Sequence, residues 1–210
     1  MTPKQQRGED RRTAILDAAA RLFRRQGYAA TSMRQIAAEA GFGRAVSGLY
    51  NHFPNKEAIF AALLTTRSPY EPLLEALRVV EGETLEDFLR NWLRAVWPVM
   101  LGHLDFMQLV FIDLQEFDGQ TLATFLKDLL PHYFVVFSRT HELPGVRQDL
   151  SLTLLIRTIA SFTIGSVLTE IMLQQGAVER ISLPVAVGDE WISGIASILA
   201  RGMTTPAPEE

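Results

Sequence analysis

The chain has 210 residues, of which 48% are hydrophobic, a formal net charge of −4 and no cysteine. That apolar content supports a sizeable core, and the length allows one large domain or a small one joined to a larger. The absence of cysteine excludes disulfides, thiolate metal sites and cysteine nucleophiles. The charge is unevenly spread. Residues 1–67 carry 11 Lys/Arg against 5 Asp/Glu, a net +6, and the remainder carries 9 against 19, a net −10. A basic head on an acidic body fits contact with nucleic acid at one end.

Residues 1–8 show no periodicity and are expected to form a mobile arm, too polar for a secretory signal. The first helix is expected from about Glu9 to Gln26. Ile15, Ala18, Ala19, Leu22 and Phe23 fall on one helical face, and Gly27 ends it. Ser32 and Gln35 have capping-box spacing and open a second helix, lined by Met33, Ile36, Ala37 and Ala40 and stopped by Gly41. A third short helix lies within 44–53, with Leu49 and Phe53 on its core side. Pro54 bars its continuation and suits the start of a fourth, to about Thr66, whose apolar side is Ile59, Phe60, Leu63 and Leu64.

Ser68-Pro69 and Glu71-Pro72 mark a junction. Beyond it helices are expected near 72–80, 84–101, 103–117, 119–140, 149–175 and 184–201, with Pro98 kinking or dividing its helix. No strand alternation and no repeat is seen. The longest uncharged stretch of the C-terminal half, Thr158 to Thr169, is too short to span a bilayer, so a cytoplasmic protein with no membrane partner is expected. Residues 203–210 are Pro- and Glu-rich and expected to be disordered.

The segment Thr31–Glu57, two short helical patterns around an Ala40-Gly41 break, has the layout of a helix-turn-helix, which sets one short helix into the DNA major groove. Such a device needs hydroxyls and cations aimed at phosphates and a few side chains aimed at base edges. Tyr50 and His52 lie on the short helix, and Lys56 lies at the start of the next, where its charge can hold a phosphate.

The pieces Ile15-Leu16-x-Ala18-Ala19-x-x-Leu22-Phe23, Gly27-Tyr28, Thr31-Ser32, Ile36-Ala37-x-x-Ala40-Gly41, Leu49-Tyr50-x-His52-Phe53 and Lys56-Glu57-x-Ile59 resemble the tetracycline-repressor (TetR) family of transcriptional regulators, over residues 11–64. The resemblance implies an all-α fold: a three-helix helix-turn-helix DNA-binding domain (9–67), then a helical effector-binding and dimerisation domain (68–202). It implies phosphate contacts for Tyr50, His52 and Lys56 and for the hydroxyl of Thr31 or Ser32, and a base or backbone contact for Arg34. Seven residues, Phe42 to Gly48, separate Ala40-Gly41 from Leu49-Tyr50 where the family usually has five. The extra two must lengthen the turn or the reading helix, and Gly48 stands where a base-reading side chain is common. Arg44 and Ser47 are the candidates for base contact, and an ordinary phosphate contact is the alternative, and the preferred, reading for Arg44.

A reader of a palindromic operator needs two heads, hence a homodimer. The expected seam is the last two helices: Ser161, Gly165 and Thr169 every four residues, then Trp191, Ile195 and Ile198. The resemblance implies a small apolar or amphipathic effector among the aromatic-rich helices of 84–140, with Trp92, His103, Gln108, His132, Tyr133 and Arg157 as candidate polar contacts. The other reading of the aromatics is plain core. The function expected is repression released by that effector, with the fourth helix as lever. No cofactor and no metal site is expected. An enzyme finds no support: there is no Gly-rich phosphate loop, HExxH or Gly-x-Ser-x-Gly, and the four histidines are scattered. The same residues are also compatible with a helical adaptor whose DNA-binding head has lapsed, or with an activator.

Overall fold

The computed structural model describes residues 2–43, 46–174 and 188–205. They are all-α: α1 Pro3–Gln26, α2 Met33–Glu39, α3 Ser47–Tyr50, α4 Lys56–Thr66, α5 Tyr70–Arg78, α6 Leu85–Gly102, α7 Leu104–Glu116, α8 Gln120–Ser138, a 3-10 turn Arg139–Glu142, α9 Leu152–Gln174 and α10 Asp189–Met203. The chain forms two compact units, Met1–Ser68 with Asp105–Thr124, and Pro69–Leu104 with Phe125–Glu210.

The first unit is built on the apolar face of α1. Ile15, Ala18, Ala19, Leu22 and Phe23 are buried with Ile36, Ala37, Leu49, Phe53, Ile59, Phe60, Leu63 and Leu64. Each such Leu, Ile or Phe contributes about 1.5–3 kcal/mol of hydrophobic stabilisation. The expected arm is instead helical from Pro3. Thr2 and Gln5 form a capping box, with Thr2 N–H donating to Gln5 Oε1 at 2.8 Å, and Pro3 occupies the first helical position, where its missing N–H has no cost.

The unit also takes in 105–124, which the sequence pattern groups with the body. Aromatic packing accounts for this. Phe117 stacks on Phe60 at 4.8 Å between ring centroids and meets Tyr28 edge-on at 5.1 Å. Asp113, fully buried, accepts from the N–H groups of Leu122 (2.9 Å) and Thr121 (3.4 Å) and so caps the start of α8.

In the second unit α6 buries Phe88, Leu89, Trp92, Leu93, Val96 and Trp97. Phe137 of α8 packs on Phe88 and Trp92 at 5.3 and 5.7 Å. Arg94 holds Asp189 through two hydrogen bonds of 2.8 and 2.9 Å, fixing the start of α10 to α6. Pro98 does not divide α6, which continues to Gly102. The buried Val96, Trp97 and Met100 on both sides of it hold the segment helical despite the lost amide. At the C-terminal end, Val146 and Thr204 form an isolated antiparallel bridge, and Thr205 N–H donates to Gly145 O at 2.9 Å, so backbone pairing carries order past Met203 into the expected tail.

α9 departs from expectation. Its stretch Leu152–Met172 is long and apolar enough to cross a membrane by length and composition, and 28% of its most apolar window is buried. Counting uncharged residues alone stops at Arg157 and Glu170 and misses this.

Gly82 meets the first turn of α6 so closely that an added Cβ would lie 2.3 Å from Phe88 N and 2.6 Å from its Cα. Backbone cannot yield as a side-chain tip can. Gly82→Ala is expected to destabilise the protein by about 3 kcal/mol, read by urea denaturation, whereas Gly102→Ala, which meets nothing within 4 Å, stays near wild type.

Candidate nucleic-acid interface

The Ser32–Gln35 capping box forms as its spacing predicts: Ser32 N–H donates to Gln35 Oε1 (2.8 Å) and Gln35 N–H to Ser32 Oγ (3.3 Å). α2 thus starts at Met33 with Ser32 and Arg34 exposed, and Arg34 has no ion pair among the described residues. The turn to α3 uses left-handed glycines, Gly41 at φ 83° and Gly43 at φ 59°. α3 has four residues, Ser47–Tyr50. Arg44 lies outside the described residues.

On α3, Leu49 is fully buried, while Ser47 and Tyr50 face outward, Tyr50 with 53% of its surface exposed. His52 is half-buried, edge-on to Phe42 at 6.3 Å. The glycine at 48 has a physical cause. A Cβ there would sit 2.8 Å from Phe42 Cδ1, so the Phe42 ring fills the space a side chain would need. Arg11 and Arg12 of α1 stand over Phe42 and Phe53 at 5.7 and 4.4 Å from the ring centroids, placing two further cations beside α3. Sequence reasoning missed both, and their polar spacing on α1 gave no signal to single them out.

Two expected phosphate contacts sit in a different setting. Thr31 is 2% exposed; its hydroxyl donates to Gly27 O at 2.8 Å and accepts from Gln26 Nε2 at 3.3 Å. Of the two candidate hydroxyls, only that of Ser32 faces solvent. Lys56 reaches back to the turn between α1 and α2. Its Nζ donates to Tyr28 O (2.8 Å) and Thr31 O (2.9 Å) and lies 4.0 Å from the Tyr28 ring centroid. Burial, then the neighbouring carboxylates Glu57 and Glu116, hold the Tyr28 phenol protonated well above its usual range.

The six candidate effector contacts are not gathered in one place. Trp92 and Tyr133 meet edge-on at 6.5 Å within the body core, where burial raises the Tyr133 phenol pKa. Gln108 lines a cavity of about 150 Å³ in the head with Asp17, Arg21, Arg24, Arg67 and Asp105. His132 lines a separate groove between α5 and α8. His103 Nδ1 lies 2.7 Å from Val99 O, and Arg157 is exposed on α9. Of the candidate seam residues, Ser161, Gly165, Thr169 and Ile198 are exposed, and Ile195 and Trp191 are half-buried, Trp191 against Trp97 and Phe162. Among the described residues no group of three or more His, Asp or Glu is placed to hold a metal.

Residues 15–63 match the family model described as bacterial regulatory proteins, tetR family. Over 107 residues the chain is 34% identical to YfiR, an uncharacterized HTH-type transcriptional regulator of Bacillus subtilis; the match covers 50% of this chain and 45% of that protein. The chain thus spans about half the length of the curated relatives it matches. A TetR family transcription regulator from Marinobacter aquaeolei superposes with a TM-score of 0.68 at 18% identity, covering 96% of this chain and 100% of that one. The ketosteroid transcriptional regulator KstR2 of Mycobacterium tuberculosis gives a TM-score of 0.60 at 22% identity, covering 93% and 96%. These structures share the fold. Motif order, helix-turn-helix geometry and the family match agree over the head of the chain, where residues 15–63 are similar to the tetR family of bacterial regulatory proteins.

Proposed function

We propose that this chain is a cytoplasmic DNA-binding transcriptional regulator, a homodimer that represses from a palindromic operator and is released by a small apolar or amphipathic ligand. The observation that carries the reading is the set of exposed side chains Ser32, Arg34, Ser47 and Tyr50, held on a buried core within residues 1–67, which carry a net +6. Exposed hydroxyls and a guanidinium suit phosphate oxygens, and Ser47 at the start of α3 suits a base edge in the major groove. The dimer rests on α9 and α10. Leu154, Ile164, Met172 and Ile198 are exposed at 48, 46, 53 and 67%, and an added Cβ at Gly165 or Gly194 meets nothing. That open apolar surface, rather than a bilayer, is our reading of why α9 is apolar on more than its buried side. Release follows from linkage: a ligand that favours the state unfit for DNA weakens operator binding by the factor by which DNA weakens the ligand.

The reading is tested on duplexes selected from random DNA, with binding followed against salt. Wild type is expected to bind with log affinity falling linearly in log salt, about 0.9 per phosphate contacted. No salt-dependent affinity for any duplex would sink it. Arg34→Ala is expected to shrink that slope by about one unit, and Tyr50→Ala to weaken binding about tenfold, roughly 1.4 kcal/mol.

Lys56→Met is expected to behave differently. Its two donors satisfy backbone carbonyls of the turn that seats α2, so the variant loses about 1–2 kcal/mol of stability and binds more weakly with the salt slope unchanged. A slope smaller by one unit with unchanged stability would restore a direct phosphate role. For the seam, Ile198→Glu is expected to shift the protein to monomers in light scattering while circular dichroism stays helical.

A further inference from the structure

The second unit, Pro69–Leu104 with Phe125–Glu210, carries nine Lys/Arg against fifteen Asp/Glu (nineteen past residue 67, less Asp105, Asp113, Glu116 and Asp118), and three of its arginines are held by carboxylates. Arg90 pairs with Glu86 and Asp87, Arg94 with Asp189, and Arg147 with Asp149. One groove gathers two arginines that are not so held. α5 and α8 enclose a groove of about 250 Å³ lined by Leu74, Leu77, Arg78, His132, Val135, Val136 and Arg139. Its walls hold no carboxylate, and neither arginine has an ion pair among the described residues.

The spacing explains the shape. Positions 74, 77 and 78 form one stripe of α5, and 132, 135, 136 and 139 continue as one stripe of α8 into the 3-10 turn. Leu77 and Val136 are buried, Leu74 is half-buried and Val135 is 62% exposed, so the floor is apolar and open. Arg78, His132 and Arg139 are exposed. An apolar floor under two unpaired guanidiniums, on a unit of net −6 (nine Lys/Arg against fifteen Asp/Glu), selects for an anionic head with a short apolar tail. A cationic ligand meets like charge at the groove, and a fully polar anion leaves the floor wet. The volume lies below the range that holds drug-sized molecules, which favours a chain of modest length.

We propose that this α5–α8 groove binds a small anionic amphiphile, a carboxylate with a short alkyl tail, seated on Leu74, Leu77, Val135 and Val136 and paired with Arg78 and Arg139. The proposal deepens the effector reading above and rests on it only for the consequence of binding, not for the site.

Octanoate serves as the probe and octylammonium, of equal tail length and opposite charge, as its control, both in titration calorimetry with the full chain. Octanoate is expected to bind and octylammonium not to. The double variant R78Q/R139Q is expected to weaken octanoate at least tenfold with an unchanged thermal midpoint, since both side chains are exposed. Val135→Asp, which puts a charge in the floor, is expected to weaken it as well. Equal binding of the two probes, no octanoate binding by wild type, or unaltered binding by R78Q/R139Q would each overturn the site. Its failure is separable from failure of the switch. Octanoate that binds through the arginines yet leaves DNA affinity untouched confirms the groove and removes it as the effector site. Intact DNA binding without octanoate binding removes the groove and leaves the regulator reading standing.

Discussion

The turn that leads into α2 is pinned by one ammonium group. The turn between α1 and α2 runs from Gly27 to Ser32 and exposes carbonyls that no helix satisfies. Lys56 answers two of them, those of Tyr28 and Thr31, from the first position of α4. The ring of Tyr28 lies beneath the same ammonium and packs on Phe23, Phe60 and Phe117. One charge therefore joins a polar turn to the aromatic core, and the Ser32 cap starts from a fixed backbone. Remove that constraint and the surface offered by α2 and α3 loses its reference point, whatever residues it carries.

Most of this architecture was legible in the sequence, because it rests on local rules. The 3.6-residue periodicity of α1, the Ser32–Gln35 box and the stops at Gly27 and Gly41 need no knowledge of distant contacts. The parts that were not legible depend on distant partners. Lys56 read as a phosphate ligand, since its sequence neighbours do not reveal that Tyr28 O and Thr31 O lie within reach. Segment 105–124 read as body because nothing nearby in the chain shows that Phe117 stacks on Phe60. The arm at 1–8 was a different error: the Thr2–Gln5 box lay in plain view, but the weak apolar pattern outweighed it.

Gly48 shows how the two kinds of information combine. As a sequence feature it suggests a reading helix stripped of a base contact. In the structure the Phe42 ring covers it, and Arg11 stands over that ring. A Cβ at 48 would meet that ring, which accounts for a glycine there. Any specificity carried by α3 must then come from its flanks, Ser47 and Tyr50, and from the cations that α1 holds beside it.

α9 poses the opposite problem, a helix apolar enough to be misread. Its buried stripe, Leu155, Ile156, Ile159, Thr163, Val167 and Ile171, follows the period of a helix packed on one side. A solvated helix would carry charge on the other side. Instead that side bears Leu154, Ile164 and Met172, broken by Ser161, Gly165 and Thr169. Thr163 and Thr169 donate their hydroxyls to carbonyls four residues back, at 2.8 and 2.9 Å, so their polarity is spent within the helix. What faces outward is thus nearly free of unmet hydrogen bonds and interrupted by small residues, the surface that close helix–helix approach requires. Arg157 and Glu170 stand near the two ends, where a self-paired helix can keep them in water. The same composition that meets a length test for membrane crossing is also that of a helix packed on one face and apolar on the other.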